Sequence, residues 1–187
     1  MVSLIVIVLC LLYVLLLGGV RLYLWRKAAR DGVWPRWFVE ELQVMACTPE
    51  EAFAFVGDPR NDVRHAPSVV AVLFDAPGGP RVGTTYRETL RLGPATSTMK
   101  CVITEYDPPR AIGLSCEVGR RSAFGGYRVA PHLAGCVVTA LSGTTKTASG
   151  VLLAPFTRWV TRRVCRKDLD RIRTIVESSH REREHTE

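Results

Sequence analysis

Apolar and polar residues alternate along most of the chain, in runs separated by turns that contain glycine or proline. Such alternation is typical of antiparallel strands with one buried face, and the spacing of the turns predicts a meander. The clearest turns are Ala76–Pro80 and Asp107–Arg110. Seven strands are predicted, over residues 38–46, 69–74, 84–92, 96–106, 112–118, 124–129 and 136–142.

Helical patterns follow the first strand and the last one. The run Thr48–Glu51 predicts a helix start, because a threonine cap, a proline in the first turn and a glutamate three residues later form a capping box. This helix is expected to end near Gly57, and a second short helix or turn is predicted over residues 60–65.

A long helix is predicted over residues 151–178, followed by a polar tail, 179–187, that is expected to fray. Its apolar residues form no straight stripe, because the group around Val160 and the group around Leu169 lie roughly half a turn apart. The helix is therefore expected either to break near residue 165 or to be received by two different surfaces.

The start of the chain carries no charged side chain from Val2 to Val20, and a helix of that length spans roughly 28 Å, close to a bilayer core. Bulky basic residues follow, so a retained transmembrane anchor is predicted rather than a cleaved signal peptide, with a buried helix as the alternative. The positive-inside rule predicts a single-pass protein of the cell membrane, with its N-terminus outside and its domain cytoplasmic. The basic residues are Arg21, Arg26, Lys27 and Arg30.

Four segments are thus predicted: an anchor over 1–24, a basic juxtamembrane linker over 25–37, one domain over 38–178 and the tail over 179–187. The part that follows the anchor is long enough for one domain with its own core and too short for two typical ones.

The formal net charge of +7 is concentrated in the linker and the last helix, since residues 37–157 hold equal numbers of basic and acidic side chains. A neutral domain body excludes nucleic acid as the expected partner, because phosphates require a basic face. The basic residues of the last helix are expected either to form a solvated face or to contact an anionic membrane surface. They are Arg158, Arg162, Arg163, Arg166 and Lys167.

Five of the six cysteines lie in the domain, with no CxxC pair and no histidine at metal-ligand spacing. They are predicted to be reduced, buried thiols that behave as small apolar side chains. No metal or other cofactor is expected, and no glycine-rich phosphate-binding loop occurs.

Several segments, in this order, resemble the START-like (SRPBCC) superfamily, which includes the polyketide cyclase/dehydrase group. The segments are Thr48–Val56, Asp58–Asn61, Gly79–Glu88, Thr104–Arg110, Gly126–Val129 and Leu152–Pro155. The resemblance implies an α+β helix-grip fold, in which a curved antiparallel sheet wraps around a long C-terminal helix. It implies no single function, because the superfamily includes lipid carriers, ligand sensors, cyclases and chaperone regulators.

The fold implied by the resemblance leaves a cavity between sheet and helix, although the same apolar residues could instead form a filled core. Glu88 shares a strand face with Tyr86, and the favoured expectation is that this face is solvated or that Arg87, Arg91 or Arg128 neutralises the carboxylate. The alternative is that Glu88 points inward and has a raised pKa. His65 is expected on the surface. The candidate lining residues are Tyr86, Glu88, Met99, Cys101, Ile103, Ile112, Leu114, Cys116, Phe124 and Tyr127.

The leading hypothesis is a membrane-tethered, non-enzymatic domain that binds a hydrophobic small molecule or lipid. One alternative is a small cyclase or dehydratase with Glu88, Tyr86 or Tyr127 as acid–base groups. Another is a pocketless interaction module for a membrane partner. No catalytic residue is assigned, and neither the ligand nor a protein partner follows from the residues.

Overall fold

Seven antiparallel strands form one curved sheet, and a long C-terminal helix packs against it, chiefly on its first and last strands. This computed structural model describes residues 37–118, 121–144 and 148–184, together with Gly19. The order across the sheet is β1-β7-β6-β5-β4-β3-β2, so the two ends of the domain meet as neighbours. The strands are β1 (Trp37–Met45), β2 (Val69–Phe74), β3 (Thr85–Leu92), β4 (Ala95–Asp107), β5 (Ala111–Val118), β6 (Arg121–His132) and β7 (Gly135–Thr144).

The predicted α+β helix-grip architecture is confirmed, and each predicted strand is present. The largest difference in length is at β6, which runs over Arg121–His132 rather than 124–129. Its extra residues pair with β5 at one end and with β7 at the other, so backbone pairing extends the strand beyond the alternating pattern.

Two short helices, α1 (Pro49–Val56) and α2 (Asp62–His65), cross between β1 and β2. The predicted capping box is present, because Glu51 N donates to Thr48 Oγ1 at 3.3 Å and Thr48 N donates to Glu51 Oε2 at 2.9 Å. A 3₁₀ turn, Pro59–Asn61, links the helices and turns α2 back over the sheet.

The last helix, α3 (Ala148–Glu184), is continuous, so the expected break near residue 165 is absent. Leu169, Ile172 and Val176 are buried in the main core. Val160, about two and a half turns earlier, is half-buried and faces a pocket, but Phe156 and Val164 of the same apolar group are exposed, so the expectation that a second surface receives this group is wrong as well. The helix also continues through much of the predicted tail, where Arg183 Nη2 lies 2.9 Å from Glu51 Oε1.

The predicted localisation, a single-pass membrane protein with a cytoplasmic domain, is contradicted. Over the part of the chain that the structure describes, no helix is both long enough and apolar enough to cross a membrane. The segments on which that prediction rested, the anchor over 1–24 and the linker over 25–37, lie outside the described residues except for Gly19 and Trp37.

Candidate ligand-binding site

A pocket of about 310 Å³ lies between the sheet and α3. Strands β5, β6 and β7 form one wall, the middle of α3 forms the other, and α2 reaches one end. Its lining residues are Asp62, Leu114, Gly126, Tyr127, Ala140, Leu141, Ser142, Val160, Thr161, Val164, Cys165 and Asp168. Most of this surface is apolar, and the titratable groups with oxygen atoms are Asp62, Tyr127 and Asp168.

These three side chains come from three separate elements. Asp62 is the first residue of α2, Tyr127 lies on β6 and Asp168 lies on α3. The charges of both aspartates contribute to a raised pKa of Tyr127, after the larger effect of burial, so the three groups are close enough to interact. The pocket therefore has apolar walls and a polar region near α2.

His65, the last residue of α2, holds the side chain of Tyr127 in place. Its Nδ1 lies 3.1 Å from the carbonyl oxygen of Asn61, and its Nε2 lies 3.1 Å from the hydroxyl of Tyr127. The prediction that His65 lies on the surface is wrong, since only 2% of the residue is exposed. Burial lowers the pKa of His65 to about 4, so the ring is neutral at physiological pH.

The carboxyl groups of the polar region are held partly out of water. Burial raises the pKa of Asp62 well above its ordinary value, and repulsion from Glu88 raises it further. Burial raises the pKa of Asp168 to about 6 even though Arg171 opposes the shift, with its Nη1 3.3 Å from Asp168 Oδ1.

Glu88 and Tyr86 lie behind this region on β3, and both are buried. Burial raises the pKa of Glu88 to about 7. The arginine neighbour Arg87 instead pairs with Asp75, at 3.1 Å between Nε and Oδ1. The Tyr86 hydroxyl has no nitrogen or oxygen partner among the described residues and lies near the Cys101 thiol, a weak partner. Two polar groups are thus buried beside Asp62 without a charged partner.

Among the other candidate lining residues, Leu114 lines the pocket and Met99 packs partly buried against the core. Four others belong to the filled core beneath α1 and α3: Cys101, Ile103, Ile112 and Cys116.

Phe124 differs from the other candidates in the face that it occupies. It pairs with Ser115 and Gly143, three residues before Tyr127 on the same strand, so strand alternation directs the two side chains to opposite faces. Phe124 lines a separate depression with Phe38 and Arg128.

Two basic residues of α3 connect the helix to the sheet. Arg166 Nε lies 2.7 Å from Glu41 Oε2, and Arg162 Nε lies 3.4 Å from Glu41 Oε1, on β1. Arg158, Arg163 and Lys167 have exposed side chains, which a solvated helix face and contact with an anionic membrane surface would both require. Residues Arg21, Arg26, Lys27 and Arg30 lie outside the described part of the chain.

The cysteines within the described ranges are all free. Cys165 lines the pocket, but burial raises its pKa to about 11, so it is a protonated thiol and a poor nucleophile at neutral pH. Over residues 37–118, 121–144 and 148–184 there is no group of three side chains placed to hold a metal ion.

Asp62 and Asp168 were absent from the candidates drawn from the sequence. For Asp168 a signal existed: it follows Cys165 by three residues and precedes Ile172 by four, which places a carboxylate on the buried helical stripe. For Asp62 no periodic signal exists, because α2 is only four residues long.

The family described as polyketide cyclase/dehydrase and lipid transport matches residues 28–177. Among curated proteins, none matches the chain. Solved structures with similar folds include the di-domain aromatase/cyclase StfQ of the steffimycin biosynthetic pathway, at 16% identity and a TM-score of 0.66, covering 82% of this chain and 54% of that one.

Two further structures cover nearly all of their own chains. The ZhuI aromatase/cyclase from Streptomyces sp. R1128 is 16% identical with a TM-score of 0.61, over 76% of this chain and 94% of its own. Ara h 8.0201 is 15% identical with a TM-score of 0.61, over 77% of this chain and 99% of its own. At these identities the similarity establishes the shared fold.

Proposed function

Because the chain belongs to the polyketide cyclase/dehydrase and lipid transport family, within the SRPBCC superfamily, we propose that the pocket between its sheet and α3 binds a hydrophobic small molecule or lipid. The observation that carries this proposal is an apolar pocket with three polar side chains in one region. A volume of about 310 Å³ lies near the lower end of the range of about 300–1,000 Å³ usual for small-molecule sites. A ligand of modest size suits it.

In this proposal the ligand's apolar part packs between β5 and α3. Leu114 contacts it from the sheet, and Val160 and Val164 contact it from the helix. Tyr127 orients the polar end, and Glu88 acts from behind Asp62 through its charge. The ligand-binding domain is residues 38–178, the division expected from the sequence.

A pocket-filling variant tests the site. Thr161→Phe places a ring in the pocket from α3, and Thr174→Phe makes the same change at an exposed position of that helix. N-phenyl-1-naphthylamine, which fluoresces strongly in apolar surroundings, is titrated into the full-length chain and both variants. We expect saturable enhancement with the wild type and with Thr174→Phe, and little with Thr161→Phe.

Circular dichroism and a melting curve for each chain show whether Thr161→Phe remains folded. A folded Thr161→Phe variant that binds the probe as tightly as the wild type would place the binding elsewhere and refute this use of the pocket.

A cyclase or dehydratase activity is the second candidate, and Asp168, which lines the pocket and has a pKa of about 6, favours it. Groups that titrate near neutral pH exchange protons readily in either direction. In an intramolecular aldol cyclisation, a carboxylate would take an α-proton, the resulting enolate carbon would bond to a second ketone carbon, and a carboxylic acid would protonate the alkoxide so formed. Dehydration would then remove a second α-proton and the protonated hydroxyl as water.

The test of this candidate is incubation with a short poly-β-ketone and detection of the cyclised, dehydrated product by mass. Asp168→Asn should lose the product, whereas Asp170→Asn, on an exposed position of the same helix, should keep it. Equal product with and without the protein would exclude the activity on that substrate.

A further inference from the structure

The hydrogen-bonding role of Tyr127 is determined by the residue behind it. The Asn61 carbonyl oxygen can only accept, so His65 Nδ1 must carry the proton and donate it there. The neutral ring then has a bare Nε2, which accepts the hydrogen of the Tyr127 hydroxyl at 3.1 Å. Tyr127 therefore has no hydrogen left for a ligand and offers only oxygen lone pairs.

Of the two carboxyl groups beside Tyr127, one has a cationic partner and the other has none among the described residues. Asp168 has Arg171, which also reaches the carbonyl oxygen of His65 at 3.4 Å. The ion-pair contact of Asp62 within the described residues is His65 Nε2, 3.8 Å from Oδ1, and that ring is neutral. Positive charge is missing on the side of Asp62.

Independent support comes from two polar groups that are more than nine-tenths buried. Glu88 is 7% exposed and has neither an ion pair nor a hydrogen bond within the described part of the chain. Tyr86 is fully buried, and its hydroxyl has no nitrogen or oxygen partner there, only the weakly interacting Cys101 thiol. Both interact electrostatically with Asp62, which connects them to the pocket. Unpaired buried polar groups are unfavourable unless something supplies the partner.

We propose that the occupant of the pocket is an amphipathic amine, whose ammonium group donates hydrogen bonds to Asp62, Tyr127 and Asp168 and whose apolar part packs against Leu114, Val160 and Val164. This inference rests on the proposed function and specifies the ligand class. An ammonium brings three donors and a positive charge, which matches lone pairs on Tyr127 and carboxylates on either side. A carboxylate ligand would meet repulsion from Asp168, which is ionised above its pKa of about 6.

The experiment compares four compounds with the same eight-carbon skeleton as competitors of N-phenyl-1-naphthylamine on the full-length chain. They are octylamine, 1-octanol, 2-octanone and octanoate, so chain length is constant and only the polar end differs. We expect octylamine to displace the probe at a concentration at least about tenfold lower than each other compound, as a charge-assisted hydrogen bond in a desolvated site would give.

Two variants test the residues. Asp62→Asn and Asp168→Asn each remove one carboxylate and should bring octylamine close to 1-octanol in strength. Asp170→Asn lies on an exposed position of α3 and should keep the full preference. The wild-type comparison needs no variant, so the inference remains testable if one substitution impairs folding.

The outcomes separate the two levels of the proposal. One outcome is that the probe binds the wild type and not Thr161→Phe, while octanoate, 2-octanone or 1-octanol competes as well as octylamine. In that case the pocket remains the proposed binding site and the amine inference fails. The same conclusion follows if the preference survives in both Asp→Asn variants. If the probe does not bind the pocket at all, the proposed function itself fails and the amine inference fails with it.

Discussion

Replacing Glu88 by glutamine should stabilise the protein at alkaline pH and not at acidic pH. Glu88 is buried on β3, and burial raises its pKa from the ordinary 4.5 to about 7. The native state therefore holds this proton more tightly than the unfolded chain does. The contribution of this carboxyl group to the free energy of unfolding is therefore fully present below pH 4.5 and is lost as the pH rises through about 7.

The magnitude follows from that difference in pKa. The pKa of Glu88 is about 2.5 higher in the folded protein than in the unfolded chain, and each pKa unit corresponds to about 1.4 kcal/mol. The wild type therefore loses about 3 kcal/mol of unfolding free energy at this site between acidic and alkaline pH. Glutamine has nearly the same shape and no charge, so its site contributes no such loss. It also removes repulsion on Asp62, which acts in the same direction.

Urea unfolding at pH 4 and at pH 8.5 measures the effect. We expect Glu88→Gln to lie within about 1 kcal/mol of the wild type at pH 4 and to exceed its unfolding free energy by about 3 kcal/mol at pH 8.5. The matched control is Glu40→Gln, on an exposed position of β1, whose difference from the wild type should not vary with pH in this way. A pH-independent difference for Glu88→Gln would refute the reasoning.

Three further substitutions test the packing around the site by the same unfolding measurement. Gly126→Ala should lower the free energy of unfolding by several kcal/mol, because the new Cβ would lie 2.1 Å from the carbonyl oxygen of Ile112 at a φ of +148°. Gly79→Ala is the control and should lower it far less, since no atom lies within 4 Å of the new Cβ. Equal losses would contradict the close approach at Gly126. Ile172→Ala should lower the free energy of unfolding by about 2–4 kcal/mol by leaving a cavity under α3. A loss below about 1 kcal/mol would show that α3 is not tightly packed against the core at this residue. Thr48→Ala should cost about 1 kcal/mol through the lost capping bond, and no loss would remove the capping box from the account of α1.

Local patterns in the sequence were sufficient for most of the fold. Strand alternation and turn residues predicted all seven strands, and the capping box marked the start of α1, because these signals act between residues a few positions apart. The two apolar groups of the last helix predicted a break or two receiving surfaces, whereas α3 is continuous and only the group around Leu169 enters the core, because the sheet covers that part of the helix alone. Family resemblance supplied what periodicity lacks, namely that the sheet would close against that helix.

The arrangement of the polar region was decided by tertiary structure alone. His65 is buried because α2 folds against Tyr127, which is 62 residues away along the chain, and no pattern local to either residue predicts that contact. Asp62 and Asp168 line the same pocket because α2 and α3, which are far apart in the chain, contact each other there. Their pKa values depend on the water that this packing excludes, and exclusion of water is a property of the assembled domain rather than of any segment.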